Sequence, residues 1–170
     1  RSYIAGHILG SAMAHFNSGN GLHNLVYTGD IKYGRTNLLE AANTQFPRVE
    51  TMIIESTYGG RDCVMAKSNA DEYLTEVMQR AFNRGGKIIM PVLGSGRAQE
   101  VMIIIERIIR EGKVPKVPVY IDGMLWDITA IHTAYPEFLN RNIRQQIFHK
   151  ENNPFLSPIF KKVGSHKERK

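Results

Sequence analysis

Cysteine is almost absent from this sequence, and its rarity excludes two kinds of site. Cys63 is the single cysteine among 170 residues, so no disulfide can form within the chain and no cysteine cluster can bind zinc. No apolar run approaches the roughly 20 residues that a membrane helix needs. The chain also opens at Arg1 without an initiator methionine or a leader peptide. We therefore expect a soluble, cytoplasmic protein without a membrane partner.

Acidic residues are fewer than basic ones. The sequence has 16 Asp plus Glu against 22 Lys plus Arg, which gives a net charge of +6. Such an excess favours a polyanionic partner, because lysine and arginine neutralise phosphates, but many basic proteins have no nucleic-acid role. With 42% hydrophobic and 22% charged residues, the composition is that of a globular chain.

Hydrophobic patterns indicate two kinds of organisation. Residues 11–16 and 22–28 are short extended runs, separated at 17–21 by residues that favour a hairpin. From residue 50 onward strands alternate with helices, beginning with a buried strand at 52–54. The polar stretch at 59–69 joins the two regimes. No internal repeat is visible.

Three helices are predicted after this join. Asn69 is expected to cap the first, and Gly85-Gly86 to stop it. The second follows residues 94–96, and the third covers 126–135 and ends at Pro136. Buried strands at 87–92 and 117–121 alternate with these helices, which predicts right-handed crossovers and a parallel sheet.

Three reactive side chains follow strand-like runs in the first part of the chain. They are His7, Asp30 and Glu55. Imidazole and carboxylate are good zinc ligands, but one histidine and one aspartate cannot hold a hydrolytic zinc alone. His15 and His23 flank the hairpin and are expected at the surface, so the missing ligands are expected on the N-terminal side.

The turn at 94–97 has two interpretations. Its glycines lie between a strand and a helix, where free amides attract phosphate, so Ser95 and Arg97 are candidate RNA contacts. Alternatively, it is a tight turn that lets the helix pack on its sheet. A nucleotide-binding α/β module is a further alternative, although Gln99 stands where a dinucleotide fingerprint needs its third glycine.

Several motifs together resemble the metallo-β-lactamase/β-CASP ribonucleases, especially archaeal homologues of the cleavage and polyadenylation specificity factor endonuclease. The motifs are AGHILGSA at 5–12, YTGD at 27–30, ESTYG at 55–59, GRAQE at 96–100, YIDGM at 120–124 and AIHTAYP at 130–136. The resemblance implies an α/β chain. Residues 1–62 are then the C-terminal part of a metallo-β-lactamase αββα domain, and residues 63–170 begin a parallel-sheet, Rossmann-like β-CASP domain.

The same resemblance implies roles for the three reactive residues. His7 matches a ligand to one zinc, and Asp30 matches the carboxylate that bridges two zinc ions. Glu55 matches an acidic residue beside the metals that hydrogen-bonds a histidine general acid. The implied reaction is hydrolysis of RNA phosphodiester bonds in 3′-end processing or decay, with RNA as partner and with a homo-oligomer or a processing complex as the assembly.

The sequence lacks the family's His-x-His-x-Asp-His motif and its two later histidine motifs. We therefore expect an internal fragment of a nuclease that is inactive alone. A non-catalytic RNA-binding paralogue stays open as an alternative. His132 is predicted to be a packing histidine, although the resemblance makes a pocket-lining role possible.

Overall fold

The computed structural model describes residues 1–61, 67–149 and 152–164. Within these ranges the chain forms both helices and strands, which confirms the predicted α/β class. Cys63 and the predicted boundary between residues 62 and 63 lie outside the described residues, so the division into two domains stays a prediction. No helix in these ranges is both long and apolar enough for a bilayer crossing.

A four-stranded sheet occupies the first range and has the order β1-β2-β3-β4. Its strands are β1 (Ser2–Ile4), β2 (Ala12–Ser18), β3 (His23–Tyr27) and β4 (Thr51–Ile53). β2 runs antiparallel to β1 and to β3, whereas β4 runs parallel to β3. Consequently β1, β3 and β4 point the same way, and their carboxyl ends lie along one edge of the sheet.

The predicted hairpin is confirmed. β2 and β3 pair with Ser18 opposite His23, and a short turn at residues 19–21 joins them. The three turn residues, Gly-Asn-Gly, all have positive φ, between 53° and 92°. Glycine and asparagine enter this region at the lowest cost, which is why this turn can close the hairpin.

The apolar run at 52–54 forms β4 as predicted, but the prediction that it is buried is wrong. The side chains of Met52, Ile53 and Ile54 are each about half exposed. β4 is the last strand of the sheet, and among the described residues no strand pairs with its outer side. An apolar run in a sequence indicates a preference for burial, but no described part of the chain covers these side chains.

The helix α1 (Lys67–Asn83) confirms the first helical prediction at its end but not at its start. Gly85 has a φ of +62°, and the amide of Gly86 donates to the carbonyl of Ala81 over 2.8 Å. This is the hydrogen bonding of a glycine C-cap. The helix begins two residues before Asn69, so the prediction that Asn69 caps it is wrong.

Two further helices confirm the helices predicted after residues 94–96 and at 126–135. They are α2 (Arg97–Arg110) and α3 (Leu125–Ala134), and Pro136 follows α3 directly after a one-residue cap. A fourth helix, α4 (Arg141–His149), has no counterpart in the sequence prediction.

The predicted parallel sheet is present only in part. β5 (Val119–Ile121) pairs in parallel with β6 (Phe160–Lys162), which agrees with the strand predicted at 117–121. The strand predicted at 87–92 is wrong, because no strand forms there and the side chain of Ile89 is 91% exposed. A strand needs a neighbour for its backbone groups, and this segment has none among the described residues.

The large core surrounds α2. Its buried side chains are Leu38, Leu39, Met78, Met102, Ile103, Ile105, Ile108, Ile109, Val114, Ile121, Leu139, Ile143, Phe155, Ile159 and Phe160. The sheet has a separate, small core of Ala5, Met13 and Ala42. Leu38 and Leu39 lie between β3 and β4 in sequence yet belong to the large core, so this segment connects the two parts of the fold.

Candidate metal centre

The three predicted reactive residues lie just after the strands whose carboxyl ends share one sheet edge. His7 comes three residues after β1, Asp30 three residues after β3, and Glu55 two residues after β4. Since these strands point the same way, their following loops meet at one place. The structure therefore brings together the residues that the sequence marked as separate candidates.

His7 and Asp30 face each other across this edge. The Nε2 atom of His7 lies 3.9 Å from the Oδ2 atom of Asp30, and their side chains are 38% and 71% exposed. The two atoms are too far apart for a hydrogen bond. They are close enough for one zinc ion to contact both, since zinc–nitrogen and zinc–oxygen bonds together span about 4.2 Å.

Glu55 belongs to the same edge and is held in its ionised form. Its Oε1 atom accepts a hydrogen bond of 2.8 Å from the amide of Ile31, the residue after Asp30. A hydrogen bond from the Thr57 side chain and then the one from the Ile31 amide hold the pKa of Glu55 below its ordinary value. Glu55 thus fixes the loop that carries Asp30.

The loop that carries His7 is shaped by its own sequence. The amides of His7 and Ile8 both donate to the Oγ atom of Ser11, each over 3.2 Å, and that hydroxyl donates to the Ile8 carbonyl. Gly6 has a φ of +70°, and a Cβ there would lie 2.7 Å from the backbone nitrogen of Ala42. Ser11 and Gly6 therefore position His7, and sequence reasoning did not identify this role for either residue.

The turn at 94–97 packs directly on this loop. A Cβ at Gly96 would lie 2.8 Å from Cγ2 of Ile8. The amide of Gly96 donates to Oε1 of Gln99 over 2.7 Å, and the amide of Arg97 donates to the Ser95 carbonyl over 3.0 Å. These two amides are therefore already bonded within the turn, which favours the tight-turn interpretation over a cradle of free amides and weakens the nucleotide-binding alternative.

The side chains of the turn are still available for binding. Arg97 is exposed, and its Nη1 atom lies 3.6 Å from Oε2 of Glu100. The Arg97 side chain is 55% exposed and this ion pair is loose, so the guanidinium is accessible to a ligand. Ser95 is half-buried. RNA contact by Ser95 and Arg97 stays a prediction.

Comparison with known proteins places the second part of the chain in a family. Residues 98–170 match the Beta-Casp domain. The chain is also 55% identical over 167 residues to the transcription termination factor FttA of Methanothermobacter thermautotrophicus. The second part of the chain is thus similar to β-CASP domains.

Further relatives of this chain carry the same name. The transcription termination factor FttA of Thermococcus kodakarensis is 52% identical over 166 residues, and that of Lokiarchaeum sp. is 49% identical over 166 residues. These matches cover 97–98% of the chain but 26% of each relative. The chain thus spans about a quarter of the length of the curated relatives that it matches.

The other histidines of the sheet lie away from this edge. His23 is exposed, as predicted. The prediction that His15 is also at the surface is wrong, because its ring is buried, packs near Tyr3 and Phe46, and donates through Nε2 to the Arg48 carbonyl over 3.0 Å. Within the described ranges of the chain, no three or more His, Cys, Asp or Glu residues cluster to hold a metal ion.

Proposed function

We propose that this chain forms part of a zinc-dependent ribonuclease that hydrolyses phosphodiester bonds in RNA. The observation that carries the proposal is the meeting of His7, Asp30 and Glu55 at one sheet edge, with Nε2 of His7 3.9 Å from Oδ2 of Asp30. In this proposal residues 1–62 are the metallo-β-lactamase portion, and residues 63–170 begin a Rossmann-like β-CASP domain.

The donor set fits zinc. His7 offers an imidazole nitrogen and Asp30 a carboxylate oxygen, both accessible, and both are ligand types that zinc prefers. We propose that His7 and Asp30 would both serve as ligands of a two-zinc centre, His7 through its imidazole and Asp30 through its carboxylate. The described residues supply two donors only, so the complete centre needs donors from elsewhere in the full-length protein.

Zinc ions in such a centre activate water and stabilise the charge that develops on the phosphate. Asp30 supplies negative charge that offsets the metal charge, and the neighbouring amide of Ile31 is tied to Glu55. Glu55 stays ionised near neutral pH, because Thr57 and Ile31 stabilise its charged form. We propose that its carboxylate accepts a hydrogen bond from, and so orients, the group that protonates the leaving oxygen.

Arg97, Ser95 and the net charge of +6 support RNA as the substrate. The relatives are named transcription termination factors. We therefore propose that RNA cleavage by the full-length protein serves the termination of transcription and forms the 3′ ends of transcripts.

The test is cleavage of a labelled single-stranded RNA by the full-length protein, with zinc and after chelation. We expect the Asp30→Ala variant to lose activity by at least about 100-fold, because a metal ligand is removed, and to retain RNA binding. Asp127→Ala is the matched control, since Asp127 is an exposed aspartate on α3. Wild-type activity in the Asp30→Ala variant would contradict the proposal, and RNA binding without zinc-dependent cleavage would favour the non-catalytic paralogue.

The 170 residues alone give a second test. We expect them to bind zinc weakly and to cleave no RNA, since they supply two donors of a larger set. Tight, stoichiometric zinc binding by this segment would show that the centre is organised differently.

A further inference from the structure

A cleft of about 390 Å³ lies beside the loop that carries His7. We call it the His132 cleft. Its walls are largely apolar and aromatic: Leu9, Ile128, Ile131, Tyr135 and Phe138. Two polar residues, Ser95 and His132, also line it. Its size and character are those of a small-molecule site, which is a mostly apolar concavity with a few polar groups.

His132 carries an unused hydrogen-bond acceptor. The residue is 1% exposed, and its Nδ1–H donates to the Ile128 carbonyl over 2.8 Å. A neutral imidazole that donates through Nδ1 has an acceptor lone pair on Nε2. Among the described residues, the Nε2 atom of His132 has no hydrogen-bond partner although it is buried. Burial lowers the pKa of His132, so the ring is neutral and this acceptor is retained.

A buried acceptor without a partner is unfavourable, because it has lost water and gained nothing in return. An N–H group that enters the cleft removes this penalty. The Nε2 atom is buried, so an entering group would displace a wall side chain. Tyr135 and Phe138 are more than half exposed, so they are among the wall side chains that lose little packing when they move.

The cleft adjoins the candidate metal centre. Leu9 and Gly10 belong to the loop that Ser11 closes around His7, and Ser95 belongs to the turn that packs on Ile8. The cleft and the candidate metal centre thus share the loop that follows β1.

We propose that the His132 cleft binds one nucleobase of the RNA, and that an N–H group on the edge of this base donates to Nε2 of His132. The choice of RNA rests on the proposed function. A nucleobase has flat apolar faces that suit the aliphatic walls and can stack on Tyr135 or Phe138, and an edge that carries N–H donors. Arg97 is exposed and follows the lining residue Ser95 by two positions, so its charge suits the phosphates of the same RNA strand.

The test is equilibrium binding of labelled single-stranded oligoribonucleotides to the full-length protein without metal, so that no cleavage occurs. The probes are oligoadenosine, the same oligomer of purine riboside, which lacks the amino group, an abasic oligomer and oligodeoxyadenosine. We expect wild-type protein to bind oligoadenosine about fivefold to tenfold more tightly than the purine riboside oligomer. His132→Phe, which keeps a ring but no acceptor, should abolish this preference, and His132→Gln should restore part of it.

Because His132 is buried, its variants are first checked by thermal unfolding. A second variant, Tyr135→Ala, changes an exposed wall residue and should weaken binding of the base-containing oligomers but not of the abasic one. Arg97→Ala is the comparison, since it should weaken all four probes alike.

The proposal is overturned if wild-type protein binds oligoadenosine and the purine riboside oligomer equally. It is also overturned if the preference follows the 2′-hydroxyl instead of the amino group, or if Tyr135→Ala leaves every affinity unchanged, as expected for a cleft filled by another segment of the protein. Cleavage with zinc is measured separately. If wild-type protein cleaves RNA but shows no preference for oligoadenosine, only the proposal for the His132 cleft is rejected. If it shows the preference but does not cleave RNA, only the proposed function is rejected.

Discussion

The sheet region (residues 1–61) and the helical region (residues 97–149 and 152–164) hold their important side chains in different ways. In the sheet region the core is small, and His7, Asp30 and Glu55 are positioned by backbone geometry and loop hydrogen bonds. In the helical region a large apolar core surrounds α2. The difference indicates that the reactive groups lie on loops while most of the stability comes from the other region.

One segment of the sheet region joins the two. Leu38 and Leu39 are buried in the large core, and the side-chain amide of Asn140 donates to the carbonyls of Thr36 and Asn37. The carboxylate of Glu100 accepts from the Asn37 amide over 2.9 Å. The sheet region is thus anchored to the helical region through residues 36–39.

The largest expected effect comes from removing this anchor. Leu38 is fully buried in the large core, so Leu38→Ala should lower the free energy of unfolding by about 2–5 kcal/mol. The measurement is denaturant unfolding. Leu22→Ala is the control, because Leu22 is 80% exposed in the sheet region. Equal free energies of unfolding for Leu38→Ala and Leu22→Ala would contradict this account, since the sheet region would then not depend on the core of the helical region.

The next largest effect tests whether backbone geometry positions the loop that carries His7. Gly6→Ala should destabilise the protein by at least about 2 kcal/mol, because φ is +70° and the new Cβ would meet three backbone atoms within 3 Å. It should also weaken zinc binding in the full-length protein, since His7 moves.

Gly10→Ala is its matched control. Gly10 also has positive φ, but no atom lies within 4 Å of a Cβ there, so only the conformational cost applies, about 1 kcal/mol. If both variants lose the same stability, close packing around Gly6 does not matter for the site.

A smaller effect is expected on the affinity for RNA when a basic side chain of the helical region is removed. Arg97→Ala, at the start of α2, should weaken RNA binding several-fold, by about 1 kcal/mol, and reduce the slope of log affinity against log salt concentration by about one. Arg80→Ala, an exposed arginine on α1, is the control. Unchanged affinity and unchanged salt dependence in Arg97→Ala would remove the helical region from the RNA contact.

The smallest effect is a change in pH dependence within the sheet region. The folded pKa of Glu55 is lowered, so its contribution to stability is present at neutral pH and is lost as the pH falls through the acid range. Glu55→Gln should therefore lose less stability than wild type on acidification, as followed by unfolding at several pH values. Glu72→Gln, an exposed residue on α1, is the control, and an identical pH profile for wild type and Glu55→Gln would contradict the assignment.

Local patterns in the sequence were enough for several elements. The spacing of apolar residues predicts α2, Pro136 marks the end of α3, and the glycines and asparagines at 17–21 predict the hairpin. These features depend on neighbours in the chain, which a sequence displays directly. The meeting of His7, Asp30 and Glu55 was also predictable in outline, because each follows a strand-like run.

The sequence does not show which distant segment each segment packs against or pairs with. Residues 87–92 and 52–54 are equally apolar, yet one forms no strand and the other forms an exposed edge. His15 is buried because Tyr3 and Phe46 lie near its ring, and neither is its sequence neighbour. The same limit applies to Gln99, whose side chain bonds the turn before α2 and also reaches Thr129.

The most direct test of the account is whether His7 and Asp30 hold zinc together. Zinc stoichiometry and affinity are measured in the full-length protein by competition with a chromophoric chelator, for His7→Ala, Asp30→Ala, the double variant and the exposed-histidine control His23→Ala. We predict that each single variant weakens zinc binding by at least about tenfold, that the double variant is little worse than the weaker single one, and that His23→Ala matches wild type. Losses that simply multiply in the double variant, or single variants with wild-type zinc binding, would contradict a centre shared by these two residues.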